Sequence, residues 1–339
     1  MHMQQNQPLR VGIVGMGGIG WVHAKRYLQL PAAEITALAD LAPERTTPRR
    51  DVQFSASTIS SSSDLTRVAR FGEGMDLIRN ADVDVIDICL PTHLHASYTI
   101  AALEAGRHVI CEKPMALNAE DGARMVKAAE QANRLLMVAQ VIRFWPEYQF
   151  LRETISKNAY GTLRSLNIWR TGGWPRWSSG DWYLDPRLSG GAILDLHIHD
   201  VDYIQSILGW PDRIFATGRI SERAASYDAI HAIFCYDKGP QVHMYAGWTP
   251  FQTPFEAGFD AWFDRAFLRY SQGRLIIFDS PDRVISREAP VLPGDGYLSE
   301  ISYFLNCVTE GVQPELCSPE STRDSLALIR REIQAIEQA

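Results

Sequence analysis

Residues 11–20 read Val-Gly-Ile-Val-Gly-Met-Gly-Gly-Ile-Gly, and an acidic residue, Asp40, closes the next apolar run. Val11, Ile13 and Val14 form a buried-strand pattern. Gly15, Gly17 and Gly20 fill the three places of a G-x-G-x-x-G turn, and Trp21 to Leu30 reads as helix. Gly15 permits the tight strand-to-helix turn, Gly17 lets the backbone approach a pyrophosphate, and Gly20 lets the helix pack closely on the strand. Free amides and the positive helix end then face the phosphates. Asp40, at the end of the strand Glu34 to Ala39, places a carboxylate where it can accept both ribose hydroxyls of an adenosine. Strand, turn, helix and distal acid together point to a dinucleotide.

At 339 residues the chain has room for about two domains, each with its own core. Its apolar stretches are too short or too broken by glycine to span a membrane, and Met1 to Arg10 lacks the layout of a secretory signal. Cys89, Cys111, Cys235, Cys307 and Cys317 are scattered and mostly set in apolar runs, which reads as reduced core thiols in a cytoplasmic protein. With 33 basic residues against 40 acidic, the net charge of −7 offers no footprint for nucleic acid or an anionic membrane.

Up to about residue 140, short apolar runs alternate with helical patterns, the signature of an α/β doubly wound parallel sheet. Val83 to Leu90, His108 to Cys111 and Leu135 to Gln140 read as strands, with helices near Leu94 to Ala105 and Asn118 to Ala132. Residues that follow each strand gather at the carboxyl edge, where such sheets bind ligands. Thr46 to Gly74, rich in serine, reads as a surface excursion with no assigned role. From 141 to 339 the pattern changes to an α+β domain with a large, mainly antiparallel open sheet. Its strands are Phe215 to Ile220, Ile230 to Tyr236, Val242 to Trp248, Ala261 to Tyr270 and Leu275 to Asp279, with helices near Tyr297 to Thr309 and Ser321 to Ala339. A free aromatic-rich sheet face favours association into a homodimer or homotetramer.

Lys113, in Cys111-Glu112-Lys113-Pro114, follows a strand at the ligand edge, and Pro114 restricts its backbone; the competing reading is a solvated loop lysine. Gly190-Gly191 opens a helix over Ala192 to Leu208, and Gly209 with Pro211 stops it. Its apolar stripe is Leu194, Ile198, Val201, Ile204 and Leu208, while Asp195, His199 and Asp202 form another. Asp195 and His199, four apart, face the same way and can act together on one hydroxyl, although a surface Asp-His contact has the same spacing. A metal site from His197 and His199 is disfavoured because residues two apart on a helix diverge. Trp145, Trp169, Trp174, Trp177 and Trp182 fall close together with Tyr183, interleaved with Arg143, Arg170, Arg176, Asp181 and Asp185. Such a patch suits either sugar stacking, with Arg143, Trp174, Trp177 and Trp182 as substrate residues, or the filling of a junction.

These segments together resemble the Gfo/Idh/MocA oxidoreductase family. The resemblance rests on the Gly15–Gly20 turn, Asp40, Leu90-Pro91-Thr92-His93-Leu94-His95, Glu112-Lys113-Pro114, and the run from Gly190 to Asp200. It implies an N-terminal Rossmann domain and a C-terminal domain whose open sheet often mediates oligomers. It also implies a catalytic group of Lys113, Asp195 and His199. Cofactor contacts are expected from Gly15, Gly17, Gly18, Ile19, Gly20, Asp40, Leu90, Pro91, Thr92, His95, Glu112 and Lys113. Thr92 stands where many members have asparagine, and the Thr46 to Gly74 excursion is longer than usual. The implied reaction is hydride transfer between a secondary alcohol of a sugar or cyclic polyol and NAD, with NADP as the alternative cofactor. Lys113 would stabilise the alkoxide, His199 take the proton, and Asp195 orient the pair or relay the proton. The alternatives are an NADPH-dependent keto-sugar reductase, an oxidoreductase that retains its nucleotide, and a sugar-sensing regulator of the same fold.

Overall fold

A computed structural model describes residues 7–47, 65–175, 179–221 and 226–338. Two compact units emerge, one of residues 1–141 and 295–322, the other of residues 142–294 and 323–339. The stretch after residue 294 is therefore shared between them rather than belonging to one C-terminal domain.

The first unit contains β1 (Leu9–Val14), α1 (Gly18–Tyr27), β2 (Ala33–Ala39), β3 (Ala69–Phe71), α2 (Gly74–Asn80), β4 (Val85–Ile88), α3 (Thr92–Glu104), β5 (His108–Glu112), α4 (Ala119–Ala132) and β6 (Leu136–Ala139). Among the described residues its six strands lie in the order β3-β2-β1-β4-β5-β6, and all pairs are parallel. Helices cover a parallel sheet on both faces, so its strands are apolar almost throughout; Val11, Ile13, Val85, Ile86, Val109 and Ile110 are all fully buried. Short β3 and α2 were not expected. β3 occupies the end of the serine-rich excursion, whose residues 48–64 lie outside the described residues, and α2 follows it. Asn118 caps α4 by accepting the Asp121 N–H at 2.8 Å, and Asn133, at φ 51°, ends it.

The second unit begins with α5 (Pro146–Ser156), β7 (Leu163–Gly173), α6 (Pro186–Ser189), a π-helical turn (Ile193–His197) and α7 (Ile198–Leu208). It continues through β8 (Arg213–Ser221), β9 (Ser226–Cys235), β10 (Gln241–Thr249), β11 (Glu256–Phe263), β12 (Phe267–Ser271), β13 (Arg274–Phe278) and β14 (Ser286–Glu288). α8 (Gly296–Glu310) belongs to the first unit, and α9 (Pro319–Glu337) passes from the first to the second at Arg323. The second sheet has the order β14-β13-β12-β11-β7-β10-β9-β8, antiparallel except for β10 with β7. One face is core: Ile168, Ile230, Phe234, Val242, Phe259, Leu268 and Ile277 are buried. The other carries Phe215, Trp169, Tyr245, Trp262 and Phe267, with Phe215 and Trp262 more than half exposed.

Two expectations change here. Ala261 to Tyr270 is not one strand but the adjoining parts of β11 and β12, because Asp264-Arg265 forms a turn closed by Phe263 N–H to the Ala266 carbonyl at 2.8 Å. Central β7 runs through the tryptophan and arginine patch. There Arg164, Arg170 and Asn167 interrupt the apolar pattern, so composition hid a strand whose burial alternates from Leu166 to Gly173.

Candidate active site

The glycine turn is built for close approach. Gly15 has φ +97°, and a Cβ there would strike the Cys89 carbonyl; a Cβ on Gly20 would strike the Gly15 carbonyl. A Cβ on Gly17 would meet nothing within 4 Å, so its backbone faces open space. Helix α1 starts without a side-chain cap and without an acidic residue in its first turn, leaving its positive end for an anion. A pyrophosphate fits that cradle. Asp40 Oδ2 accepts the Met16 N–H at 2.9 Å and Oδ1 accepts the Ala42 N–H at 2.8 Å, so the carboxylate is fixed beside the turn. Each oxygen keeps a second lone pair for a ribose hydroxyl. Arg45 Nη1 lies 3.8 Å from Asp40 Oδ1, and the Arg45 carbonyl accepts the Trp21 indole N–H at 3.0 Å.

At the carboxyl ends of β4 and β5 the chain forms two linked loops. His95 is buried, with Nδ1 2.7 Å from the Pro114 carbonyl and Nε2 2.7 Å from the Leu90 carbonyl. Burial lowers its pKa, with the two carbonyls acting in the opposite sense. Its ring therefore braces the loop of Leu90 and Pro91 against the loop of Lys113. Thr92 is buried at the start of α3. Glu112 is buried, its Oε2 accepting the Lys113 N–H at 3.1 Å, while Lys113 itself is half-buried and precedes a cis proline.

In the second unit, Gly190 and Gly191, at φ 78° and 73°, turn the chain into the π-helical segment. Such segments are frequent at functional sites. From Gly191 to Asp200 every residue is buried except Asp195 and His199, which are half-buried. The residues around that pair hold it in place. Arg170 Nη2 on β7 donates to Asp200 Oδ1 at 2.8 Å, and Arg143 binds Asp202 through two contacts of 2.7 Å. Ser325 on α9 adds a hydroxyl to Asp202 at 2.9 Å. Breaking one partner of such a buried pair typically costs about 3–5 kcal/mol. His197 Nε2 meets Glu332 Oε2 at 2.9 Å; burial opposes its charge, but Glu332 outweighs it and raises the pKa.

Several expected site residues are thereby placed elsewhere. Arg143 is 3% exposed and anchored to Asp202 through its Nε and Nη2. His197 points to Glu332 and not to the side of His199. Trp174 is buried, its indole N–H donating to the Trp248 carbonyl at 3.2 Å. Trp182 is half-buried and stacks on Tyr183 at 4.0 Å between centroids; Trp177 lies outside the described residues. The ion-pair anchors Arg170–Asp200 and Arg143–Asp202 were missed. Their signal was present as Asp200 and Asp202 on the helix that bears His199.

A doubly wound parallel sheet with this glycine turn at its first βα crossing defines a dinucleotide-binding protein. The chain belongs to the Gfo/Idh/MocA oxidoreductase family: residues 9–140 match its NAD-binding Rossmann fold and residues 148–263 its C-terminal domain. It is 29% identical over 213 residues to a myo-inositol 2-dehydrogenase of Thermotoga maritima, a match covering 62% of this chain and 59% of that protein. Over 315 residues it is 25% identical to an NADP(+)-linked D-xylose 1-dehydrogenase of Haloferax volcanii, covering 91% and 92%. The chain spans between half and three-fifths of the length of the first relatives it matches. A solved levoglucosan dehydrogenase, in complex with NADH and levoglucosan, shares the fold with a TM-score of 0.83 at 20% identity, covering 98% of both chains. Among the described residues no helix is long and apolar enough to cross a membrane.

Proposed function

We propose that this protein catalyses reversible oxidation of a secondary alcohol on a sugar or cyclic polyol, with NAD as cofactor. The observation that carries the reading is the pair Asp195 and His199, the partly exposed residues of an otherwise buried helical segment pinned by two ion pairs. A pair spaced this way and held rigidly suits proton transfer. NAD, when bound, supplies the hydride acceptor. Gly15, Gly17, Gly18, Ile19 and Gly20 would hold its pyrophosphate, Asp40 its ribose, and the loops of Leu90 to Thr92 and of Lys113 the remainder. His199 takes the hydroxyl proton, Asp195 orients or relays it, and Lys113 stabilises the oxygen as its charge grows. Relatives that act on inositol and xylose support the substrate class.

A second cofactor reading rests on Arg45, whose guanidinium lies close enough to Asp40 to meet a 2′-phosphate. The exposed face of the eight-stranded sheet, with Phe215 and Trp262, supports a homodimer or homotetramer; sedimentation at equilibrium tests it. All five cysteines stand as thiols, which fits a reducing, cytoplasmic setting. The function itself is tested by screening sugars, polyols and glycosides with NAD and with NADP for reduced cofactor. Turnover of at least one secondary alcohol is expected; a purified protein that binds cofactor yet oxidises none, and reduces no keto-sugar, overturns the reading.

A further inference from the structure

Behind the glycine turn lies a buried group of ionisable side chains with no part in the mechanism above. His23, one turn into α1, is fully buried. Its Nδ1 lies 2.8 Å from Asp87 Oδ2 on β4, and its Nε2 lies 3.0 Å from Glu112 Oε1 on β5. The second contact is an ion pair rather than a well-aligned hydrogen bond. The Cys89 thiol donates to Asp87 Oδ1 at 3.3 Å, and burial and Asp87 push its pKa well up. Burial works against a charged His23, but Asp87 and Cys89 outweigh it and its pKa stands well above the usual histidine value. From α8, Tyr297 places its ring 6.0 Å from the His23 ring, and Glu300 is fully buried with its pKa pushed well up by that burial. The His23 ring thus sits between the carboxylates of Asp87 and Glu112.

Glu112 uses its other oxygen elsewhere. Oε2 accepts the backbone N–H of Lys113 at 3.1 Å. A continuous chain of contacts therefore runs Asp87, His23, Glu112, Lys113 backbone, and it passes through His23 on the helix that the glycine turn opens. The Cys89 carbonyl, against which Gly15 packs, belongs to the same strand end as Asp87. A side chain at the end of a strand normally has several rotamers. Here an ion pair on one oxygen and an amide on the other select one, and that rotamer holds the loop from which Lys113 projects.

We infer that His23 and Glu112 are positioning residues that fix the Lys113 loop to the cofactor-binding helix. The inference rests on the proposed role of Lys113, and it assigns Glu112 an inward, structural contact in place of one with the cofactor. Neither residue touches the reacting atoms. Their contribution is to the placement of Lys113, where an error of about 1 Å can cost on the order of 100-fold in rate.

The test uses the full-length protein. In the parent, ¹⁵N spectra of His23 at neutral pH should show both ring nitrogens protonated, and the Lys113 amide should exchange slowly. In Glu112→Ala the Lys113 amide should exchange faster while amides within β5, such as Val109, keep their protection. With the best alcohol from the screen, His23→Gln and Glu112→Gln should lose about 10- to 100-fold in kcat, with NAD affinity and substrate KM little changed. Glu112→Asp should recover part of the loss. A neutral His23 ring in the parent overturns the inference even if every variant fails to fold. So does near-parental kcat in both glutamine variants when Lys113→Met is inactive. If Lys113→Met instead retains full turnover, the catalytic reading of Lys113 is what fails, while the exchange and ring measurements still judge the link.

Discussion

The Asp40 carboxylate holds the Met16 amide of the glycine turn at 2.9 Å, so the residue that would read the ribose also fixes the loop that would bind the phosphates. A 2′-phosphate brought to Asp40 would set like charges about 4 Å apart, at a cost on the order of 1–4 kcal/mol depending on local dielectric. NAD should therefore bind more tightly than NADP. Asp40→Ala should narrow that preference and also weaken NAD, because the turn loses its brace. Titration of both cofactors by fluorescence decides the matter; equal or tighter binding of NADP by the parent would show that Arg45 governs the site.

His199→Ala should lower turnover by roughly 10²- to 10⁴-fold, the usual contribution of a general acid–base group, and Lys113→Met by about 10²- to 10³-fold, as for the loss of one donor to a developing oxyanion. NAD affinity should stay near the parental value in His199→Ala and fall far less than turnover in Lys113→Met, since the glycine turn would still hold the pyrophosphate. Near-normal turnover in either variant removes that residue from the mechanism.

The Rossmann half was legible because its glycines, its buried strands and Asp40 are short-range signals. Each strand of a parallel sheet is an apolar run in itself. The second sheet was legible where apolar residues alternate in sequence, as in β9, and obscure in β7, where Asn167 and Trp169 share the outer face and Arg170 is buried on the inner one. Asp195 and His199 were read from helical spacing, and the structure leaves both half-buried while the π-helical turn over Ile193–His197, between them in part, was not legible. Arg143 could not be judged from sequence. Its partner, Asp202, is far along the chain, and only the fold shows that the guanidinium is held in a buried pair. The same holds for His23, whose carboxylate partners come from two different strands.

His197 gives a pH signature of stability. Its pKa is raised in the folded protein, so the associated stabilisation is fully present below the unfolded value of about 6.5 and is lost as pH rises through the folded value. In Glu332→Gln the neutral amide no longer favours the imidazolium, so this part of the alkaline decline should shrink. Melting curves of parent and variant across that range measure the difference. Parallel curves would mean that His197 is neutral in the folded chain.

Trp174 and Trp182 now make opposite predictions. Trp174 is buried and donates its indole N–H to the Trp248 carbonyl. Trp174→Phe should lower stability by about 0.5–1.5 kcal/mol through that lost bond, and Trp174→Ala by roughly 3–5 kcal/mol. Substrate affinity should follow neither change. Trp182 keeps part of its surface open while stacked on Tyr183, the arrangement of a platform on which a sugar face can lie. Trp182→Ala should therefore leave melting close to the parent yet weaken substrate binding by about 1–3 kcal/mol, by analogy with rings that stack on planar bases. NAD affinity is the internal control and should not move. A Trp182→Ala protein that melts early and binds the substrate normally would place this ring with Trp174 among the packed residues, and would leave the sugar-facing aromatics to be found elsewhere in the second unit.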